Sequence, residues 1–314
     1  MVDTLQCAPY AHAADRQECS VSRKSKASET TEATAMGYAF GVAVISILVM
    51  IGLPGASIGG PLTFETIDIP NVAPTVPGDI NSRGQIVGLF VASGTHGFLL
   101  SKGQFATIDV IPGASDTEAY GLNDKGDIVG KFRDSSGEHG FLLSRGSFTT
   151  IDIPGASLTD AFGINNRGEI VGHFRDTTGN DAFLLSAAGF TRITVPGAIL
   201  TAALGINDHG DIVGTFTNDG GTFHGFLLTH GRFTTIDVPG ASSTNALKIN
   251  NAGEIVGISR GTAERGFLLS HGGFVTINPP GASSTQATGI NDRGQIVGTF
   301  ADSGGGQHGF LASK

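Results

Sequence analysis

Short apolar stretches separated by polar turn residues recur along most of this chain, about ten residues apart. The tripeptide Ile-Val-Gly marks one such stretch six times and returns about every 42 residues. A fixed period of this length indicates one supersecondary unit that is copied six times. The six copies of the tripeptide begin at Ile86, Ile128, Ile170, Ile212, Ile255 and Ile296.

Each repeat contains four stretches that read as short β-strands. In the third repeat, Ala161–Asn165 and Glu169–Phe174 flank the tetrapeptide Asn165–Gly168, whose Asn and Gly residues favour a tight hairpin. The other two stretches, such as Gly140–Ser144 and Phe148–Asp152, carry apolar residues on both faces. Because a sheet with one solvated face would alternate cleanly, these sheets are expected to be covered on both sides.

Sheets of four strands, covered on both faces and repeated at this period, are typical of β-propeller blades. A β-solenoid is the weaker alternative, because its coils are usually shorter. The sequence therefore predicts an all-β fold, a six-bladed β-propeller of four-stranded antiparallel blades. The repeats begin with a fourth stretch and end with a third one, so residues 64–69 are expected to pair with residues 308–313 and complete the last blade.

The chain divides into three segments. Residues 1–35 form a polar N-terminal tail, residues 36–60 contain an uncharged apolar run, and residues 61–314 hold the repeats. A basic cluster precedes the apolar run and small residues follow it, which is the order of a secretory signal. The run also reaches the lower length limit of a membrane anchor oriented N-in. Either interpretation exports the repeats to the periplasm, the cell surface or the medium, whereas a buried helix of the domain is a third possibility.

Charge and cysteine content narrow the classes of partner. The chain carries 28 Asp and Glu against 19 Lys and Arg, a net charge of −9, and no basic stripe with interleaved aromatic residues. A phosphate backbone would be repelled, so nucleic acid is not an expected partner. Both cysteines, Cys7 and Cys19, precede the repeats, so disulfides do not hold the repeats together. Membrane contact is expected only through the apolar run.

The repeats also contain the triplet His-Gly-Phe and the longer motif Gly-Ile-Asn-Asp-x-Gly-x-Ile-Val-Gly. The chain in this respect resembles the bacterial HAF-type repeats, a family of repeats of about 40 residues. The resemblance covers residues 64–314, although Asp181-Ala182-Phe183 and Arg265-Gly266-Phe267 depart from the triplet. It implies an extracellular, propeller-like protein and supplies no catalytic residues.

Two repeated features could suggest metal sites, and neither fits one. The histidines of the triplets, one per repeat, cannot converge on one zinc ion and are expected to cap the loop before the third strand. The loops at Asp134, Asp176 and Asp302 offer one carboxylate each, too few for calcium, and an Asp-initiated turn explains them. No metal or cofactor is predicted. The histidines are His96, His139, His224 and His308.

A single binding centre is best sought where the repeats differ from one another. Structural requirements recur in every repeat, whereas one ligand site does not have to. One position of the first stretch is acidic in the second and third repeats, as Glu118 and Asp160, but not in the later ones. The glycine of the same stretch is replaced by Lys248 in the fifth repeat only. The loop of the fifth repeat is basic. The candidate binding residues, which could also reflect neutral drift on solvated loops, are Glu118, Asp160, Lys248, Arg260 and Arg265.

The function predicted from these patterns is a non-catalytic binding or interaction module, exported or anchored at the surface. Its ligand would be a protein or a polysaccharide, although the absence of tryptophan weakens the sugar hypothesis. The alternative is an extracytoplasmic hydrolase or lyase in which Glu118 and Asp160 act as acid and base at the mouth of the propeller. No Gly-x-Ser-x-Gly motif supports a serine hydrolase.

Overall fold

The computed structural model describes residues 62–70, 72, 74–109 and 113–314, together with the backbone of Asp3–Cys7, Cys19–Ser22 and Ile47–Leu48, which form short strands. Apart from these three backbone segments, the polar tail and the predicted signal or anchor at 36–60 lie outside the described residues. Among the described residues, no helix has the length and apolar character needed to cross a bilayer.

The described repeats are built from antiparallel β-strands, four to each repeat, and their order along the chain is their order in the sheet. The first strands are Thr75–Ile80, Asp116–Leu122, Leu158–Ile164, Leu200–Ile206, Ser243–Ile249 and Ser284–Ile290. The second strands are Ile86–Val91, Ile128–Asp134, Ile170–Asp176, Ile212–Thr217, Ile255–Arg260 and Ile296–Ala301. The third strands are Thr95–Ser101, Gly137–Ser144, Gly179–Ser186, His224–Thr229, Glu264–Ser270 and Gln307–Ser313. The fourth strands are Gln104–Ile108, Ser147–Ile151, Gly189–Ile193, Arg232–Ile236, Gly273–Ile277 and Thr63–Ile67.

The turn between the first and second strands is held by one buried asparagine in each repeat. In Asn165, Oδ1 accepts hydrogen bonds from the backbone N–H groups of Arg167 and Glu169, both at 3.0 Å. Its Nδ2 donates to the carbonyl oxygen of Asn207, the equivalent residue of the next repeat, at 3.0 Å. The same bond links every consecutive pair, and the last one returns from Asn291 to Asn81. The linked residues are Asn81, Asn123, Asn165, Asn207, Asn250 and Asn291.

The apolar core lies between neighbouring repeats. Ile128 packs in the cluster shared with the first repeat, whereas Val129 packs in the cluster shared with the third, so the two residues of Ile-Val-Gly face opposite neighbours. The glycine that follows them is required by close packing. A Cβ at Gly130 would lie 2.0 Å from the Glu118 carbonyl oxygen and 2.7 Å from the ring of Phe141, which is fully buried. Each third strand contributes such a phenylalanine.

The N-terminal strand Thr63–Ile67 pairs antiparallel with the last strand, and its register places Ile67 opposite Gly309 and Thr63 opposite Ser313. The observed pairing spans 63–67 and 309–313, which differs from the expected bounds by one residue at two ends and by two residues at a third, and agrees at residue 313. The rings of Phe64 and Phe310 meet edge to face across it, with 5.8 Å between centroids. The two ends of the repeat region are thereby joined in one sheet, to which Ile47–Leu48 adds a fifth strand beside Thr63–Ile67.

Two histidines of the His-Gly-Phe triplets contact the loop before the third strand, as expected: His139 Nε2 lies 2.9 Å from Ser136 Oγ, and His308 Nε2 lies 3.4 Å from Asp302 Oδ2. All four histidines also pair with the aspartate that follows a fourth strand. His139 Nδ1 lies 2.8 Å from Oδ1 of Asp152, the aspartate that follows the fourth strand, and its ring stacks on Phe132 of the second strand. The same pair forms in the other triplets. In each of them the histidine lies one residue before the third strand begins to pair with the fourth, beside the aspartate that follows the fourth strand. The further pairs are His96 with Asp109, His224 with Asp237, and His308 with Asp68.

The third repeat replaces this pair with another that satisfies the same positions. Asp181 occupies the histidine position, and Arg192 Nη1 donates to its Oδ2 at 2.6 Å. The Arg192 guanidinium also lies over the Phe174 ring, 4.7 Å from its centroid. In this repeat the guanidinium group of Arg192 therefore takes the place of the imidazole ring against the phenylalanine.

Removal of residues 61–70 should expose the edge of Gln307–Ser313 and take away the apolar cover that Phe64 provides for Phe310. We expect a lower melting temperature and aggregation, because an unpaired edge strand recruits other chains. Thermal denaturation and light scattering measure both effects, with a chain lacking residues 1–35 as the truncation control. Equal melting temperatures of the two truncated chains would contradict this role of the N-terminal strand.

The His308–Asp68 pair should make the junction of the two ends dependent on pH. The hydrogen bond to Asp68 raises the pKa of His308 above its ordinary value of 6.5, against a smaller opposing effect of burial. The pair therefore contributes its full stability below about pH 6.5 and loses it as the pH rises through the raised pKa.

Urea unfolding of His308→Gln and of the unchanged protein at pH 6 and pH 9 tests this dependence. The variant should lose more unfolding free energy at pH 6 than at pH 9. His209→Gln, at an exposed turn position, is the control and should show no such difference. A loss of the same size at both pH values for His308→Gln would refute the electrostatic role.

Candidate functional site

Every first strand contains a β-bulge at the same position, and the bulged residues line a cavity on the axis around which the repeats are arranged. In the second repeat, Ala119 pairs with Gly130 and Gly121 with Val129, which leaves Tyr120 without a partner in the second strand. A bulge of this kind re-aims one side chain out of the pleat. The six bulged residues are Gly78, Tyr120, Phe162, Leu204, Leu247 and Thr288.

The axial cavity has a volume of about 210 Å³, which is below the range of drug-sized ligand sites and suits a small molecule or a single side chain. Besides the bulged residues, the side chains on its wall are apolar except for one lysine. The rings of Tyr120 and Phe162 lie against each other, with 5.1 Å between centroids. This cavity is therefore an apolar site whose shape is set by six bulged residues that differ in size among the repeats. The remaining wall residues are Val76, Pro77, Leu89, Ala119 and Lys248.

Lys248 and Asp79 form an ion pair at one end of the axial cavity. Lys248 Nζ lies 3.2 Å from Asp79 Oδ2 and also donates to the carbonyl oxygens of Tyr120 and Phe162, at 2.9 and 2.7 Å. Both side chains are about nine-tenths buried. The ammonium group thus has three acceptors, so it neutralises Asp79 and fastens the carbonyl groups of two bulges.

The electrostatics of this pair are set by burial. Burial raises the pKa of Asp79, and the charge of Lys248 together with hydrogen bonds from the backbone N–H groups of Ile80 and Leu122 opposes that rise. Removal of Lys248 would leave a buried carboxylate with no counter-ion, which is costly.

The position of Lys248 corrects one part of the sequence analysis. The glycine of the first strand is replaced in two repeats, because Asp79 occupies in the first repeat the place that Lys248 occupies in the fifth. Glycine is favoured in the other repeats because the strands approach closely there. A Cβ at Gly121 would lie 2.7 Å from the Phe162 carbonyl oxygen and 3.2 Å from the Cα of Gly163. The two side chains that do occur there have opposite charges and neutralise each other.

Lys248 also lines a second, polar cavity of about 70 Å³, whose other walls are formed mainly by the asparagine turns. The residues that follow the linked asparagines alternate between Asp and Asn from the second repeat to the sixth, and the first repeat has Ser82, so that no two carboxylates are neighbours. Asn166 Nδ2 donates to Asp208 Oδ2 at 2.9 Å, and Asn251 Nδ2 donates to the same oxygen at 3.0 Å. Burial raises the pKa of Asp208, but these hydrogen bonds outweigh it and lower the pKa below its ordinary value.

The structure places two of the five predicted site residues, Glu118 and Asp160, in one cluster beside the axial cavity. The Tyr120 hydroxyl donates to Glu118 Oε2, and burial followed by the Glu118 charge raises the pKa of this tyrosine, so it remains a donor. The charge of Asp160 acts on the same hydroxyl, which places both carboxylates around Tyr120. Lys131 Nζ lies 3.7 Å from Glu118 Oε1.

Asp160 is the most buried carboxylate of this cluster. Its side chain is 9% exposed, Oδ2 lies 3.4 Å from His173 Nδ1, and Oδ1 has no hydrogen-bond partner. Glu138, which the sequence analysis did not single out, joins the same cluster from the third strand. Burial raises the pKa of Glu138, but the hydrogen bond from Arg133 and the charge of Lys131 lower it overall.

Arg260 and Arg265 lie neither in the acidic cluster nor in the ion pair of Lys248 with Asp79. Arg260 Nε donates to Glu264 at 2.8 Å and its side chain is 60% exposed. Arg265 Nη1 donates to the backbone carbonyl of Ser283 at 2.6 Å, in the loop before the last first strand. The five predicted residues therefore occupy three separate surroundings: the acidic cluster, the ion pair with Asp79 and the outer surface of the fifth repeat.

The described residues contain no group of three or more His, Cys, Asp or Glu side chains arranged to hold a metal ion. The acidic loops are turns, as expected. Asp134 Oδ1 accepts the backbone N–H of Ser136 at 2.7 Å, and Asp302 Oδ1 accepts those of Gly304 and Gly306 at 2.7 and 2.9 Å. These hydrogen bonds lower the pKa of both aspartates.

Removal of both residues of the Lys248–Asp79 ion pair should change the unfolding free energy little, whereas removal of Lys248 alone should lower it strongly. We expect Lys248→Met to cost about 3–5 kcal/mol of unfolding free energy, because Asp79 then stays buried without a counter-ion. The double variant Asp79→Gly, Lys248→Gly restores the residue found in the other repeats and should come within about 1 kcal/mol of the unchanged protein. Urea denaturation at pH 7 measures both. Costs that simply add in the double variant would contradict this coupling.

Comparison with known proteins gives information about the fold of this chain and not about its function. No protein-family model and no curated protein sequence matches this chain. TolB from Acinetobacter baumannii superimposes with a TM-score of 0.51 at 13% identity over 73% of this chain and 64% of TolB. A gluconolactonase from Xanthomonas campestris gives 0.50 at 13% identity over 81% and 90%. Virginiamycin B lyase from Staphylococcus aureus gives 0.48 at 16% identity over 87% and 100%. TolB and the gluconolactonase are β-propellers, and the all-β chain described here has a propeller-like fold.

Proposed function

We propose that the chain forms a closed, six-bladed β-propeller that acts as a non-catalytic binding module, with its ligand in the axial cavity. Three contacts support six blades and closure: the asparagine hydrogen bonds that return from Asn291 to Asn81, the pairing of Thr63–Ile67 with Gln307–Ser313, and the packing of Val297 in the core of the first repeat. Each of them joins the last repeat to the first.

The axial cavity is the observation that carries the binding function. It is the apolar concave site formed by residues that differ from repeat to repeat, and such a site suits one ligand rather than six equivalent ones. Lys248 closes it with an ammonium group whose three acceptors are already in place. The wall therefore binds through shape and apolar contact.

This lining favours a small apolar molecule, or an apolar side chain of a partner protein, over a polysaccharide. Sugar hydroxyl groups need hydrogen-bond partners when they are buried, and Leu89, Leu204 and Leu247 provide none. Nucleic acid does not fit a chain of net charge −9.

We further propose that the repeats are HAF-type repeats and work outside the cytoplasm, at the cell surface or beyond. The apolar run within 36–60, preceded by Arg23, Lys24 and Lys26, supports export. Fractionation of cells that produce the full-length chain, followed by mass spectrometry of its N-terminus, tests export and separates a cleaved signal from an uncleaved anchor. A full-length chain in the cytoplasm would refute this part of the proposal.

A hydrolase or lyase with Glu118 and Asp160 as acid and base is the second candidate, because the two carboxylates share the surroundings of Tyr120. The contacts of Glu118 count against it. This carboxylate accepts a hydrogen bond from the Tyr120 hydroxyl and lies 3.7 Å from Lys131 Nζ, so it is not free to take a proton from a substrate. Loss of a measured hydrolytic activity in Glu118→Ala, Asp160→Ala would establish the enzyme, whereas unchanged ligand binding by this double variant favours the module.

Filling the axial cavity should abolish ligand binding without unfolding the protein. The uncharged dye N-phenyl-1-naphthylamine, which fluoresces in apolar surroundings, is a suitable probe. We expect Leu204→Trp to weaken its binding at least ~10-fold, because the larger ring occupies the cavity. Ile199→Trp is the matched control in the same repeat, since Ile199 is 56% exposed. Absence of dye binding by the unchanged protein, or equal affinities of all three proteins, would refute the site.

A further inference from the structure

The acidic cluster beside the axial cavity is one positive charge short. It contains three carboxylates, Glu118, Glu138 and Asp160, and two cations, Lys131 and Arg133. Arg133 Nη2 lies 2.5 Å and Lys131 Nζ 3.6 Å from the same oxygen, Glu138 Oε2, while Lys131 reaches Glu118 at 3.7 Å. Both cations are thus directed at Glu118 and Glu138, and neither reaches Asp160.

Asp160 is the carboxylate that remains without a donor. Its side chain is more than nine-tenths buried, and Oδ1 has no hydrogen-bond partner in the described residues. His173 approaches the other oxygen only, at 3.4 Å, and its own Nε2 is also buried without a partner. A buried carboxylate oxygen without a donor carries a large cost, so this position calls for an N–H or O–H group.

The equivalent position between the fifth and sixth repeats shows which group is missing. There Gln286 stands in the place of Asp160 and Glu264 in the place of Glu138, and Gln286 Nε2 donates to Glu264 Oε1 at 2.7 Å. An amide N–H thus satisfies the carboxylate at that interface. Between the second and third repeats the amide is replaced by a second carboxylate, so no amide N–H is available there and Asp160 Oδ1 is left without a donor among the described residues.

The cluster is adjacent to the proposed ligand site. Tyr120 connects the two, because its ring lines the axial cavity and its hydroxyl is hydrogen-bonded to Glu118. Phe162 lines the cavity two residues after Asp160 in the same strand. The positive charge of Lys248, which also faces the cavity, is neutralised by Asp79 at 3.2 Å. A cation in the cavity would therefore meet an excess of negative charge on the side of Glu118 and Asp160.

We propose that the axial cavity binds an amphipathic amine, with its apolar part against the bulged residues and its ammonium group at Glu118 and Asp160. This inference rests on the proposed binding function of the axial cavity. The ammonium group supplies the missing positive charge and the N–H donors that Asp160 lacks. A charge-assisted hydrogen bond of this kind is about twice as strong as a neutral one.

Three probes with the same eight-carbon chain test the proposal: n-octylamine, n-octanol and octanoate, each measured at pH 7 by displacement of N-phenyl-1-naphthylamine from the full-length protein. We expect the amine to bind at least ~10-fold more tightly than the alcohol and octanoate to bind most weakly. Equal affinities of amine and alcohol would refute the amine selectivity but leave the apolar site intact. Binding of none of the three would refute the proposed function as well, and tightest binding of octanoate would assign recognition to Lys248 instead.

Substitutions in the cluster provide the second arm. Asp160→Asn introduces the amide that Gln286 supplies elsewhere, and Glu118→Gln removes one charge. Each should reduce the preference for the amine over the alcohol to less than ~3-fold, while the affinity for the alcohol stays the same. Glu65→Gln on the outer fourth strand is the control for net charge and should preserve the preference. An unchanged preference in both cluster variants, with melting temperatures that show intact folding, would refute the proposal.

Discussion

The close approach of the six first strands at the axis is the constraint on which the rest of this structure depends. A Cβ at Gly205 would lie 2.9 Å from the Cα of Lys248, and one at Gly289 would lie 2.7 Å from the Cα of Asp79. Backbone that is packed this tightly cannot be hydrated, so its polar groups need partners within the protein. The buried asparagines provide them, since each satisfies its own turn and one carbonyl oxygen of the next repeat. The circle of hydrogen bonds and the tight axis are thus two aspects of one arrangement.

Much of the fold could be predicted from the sequence because its requirements recur in every repeat. The period, the strand order and the opposite orientations of Ile128 and Val129 all follow from local patterns of apolar residues and turns. The His–Asp pairs could not be predicted in the same way. His139 and Asp152 are 13 residues apart, and their contact depends on the register of two strands, which a motif does not specify.

The candidate site was only partly predictable, for a related reason. Positions where the repeats differ do lead to the site. The size of the residues at these positions, rather than their charge, identifies those that form the cavity wall. The bulged residues vary from Gly78 to Phe162 and form the cavity wall, yet a bulge is invisible in a pattern of alternating residues. Asp79 was missed because the first repeat departs from the consensus on both sides of it, so its equivalence to Lys248 became evident only from the strand pairing.

The two replacements at the glycine position lie between the apolar and the polar cavity, since Lys248 lines both of them and Asp79 lines the polar one. One long cation and one short anion fill the space between them, and the cation fastens the carbonyl groups of Tyr120 and Phe162 at the same time. These two residues belong to the strands that carry Glu118 and Asp160. The ion pair therefore fixes the floor of the apolar cavity and positions the backbone of the wall beside which the unneutralised carboxylates lie.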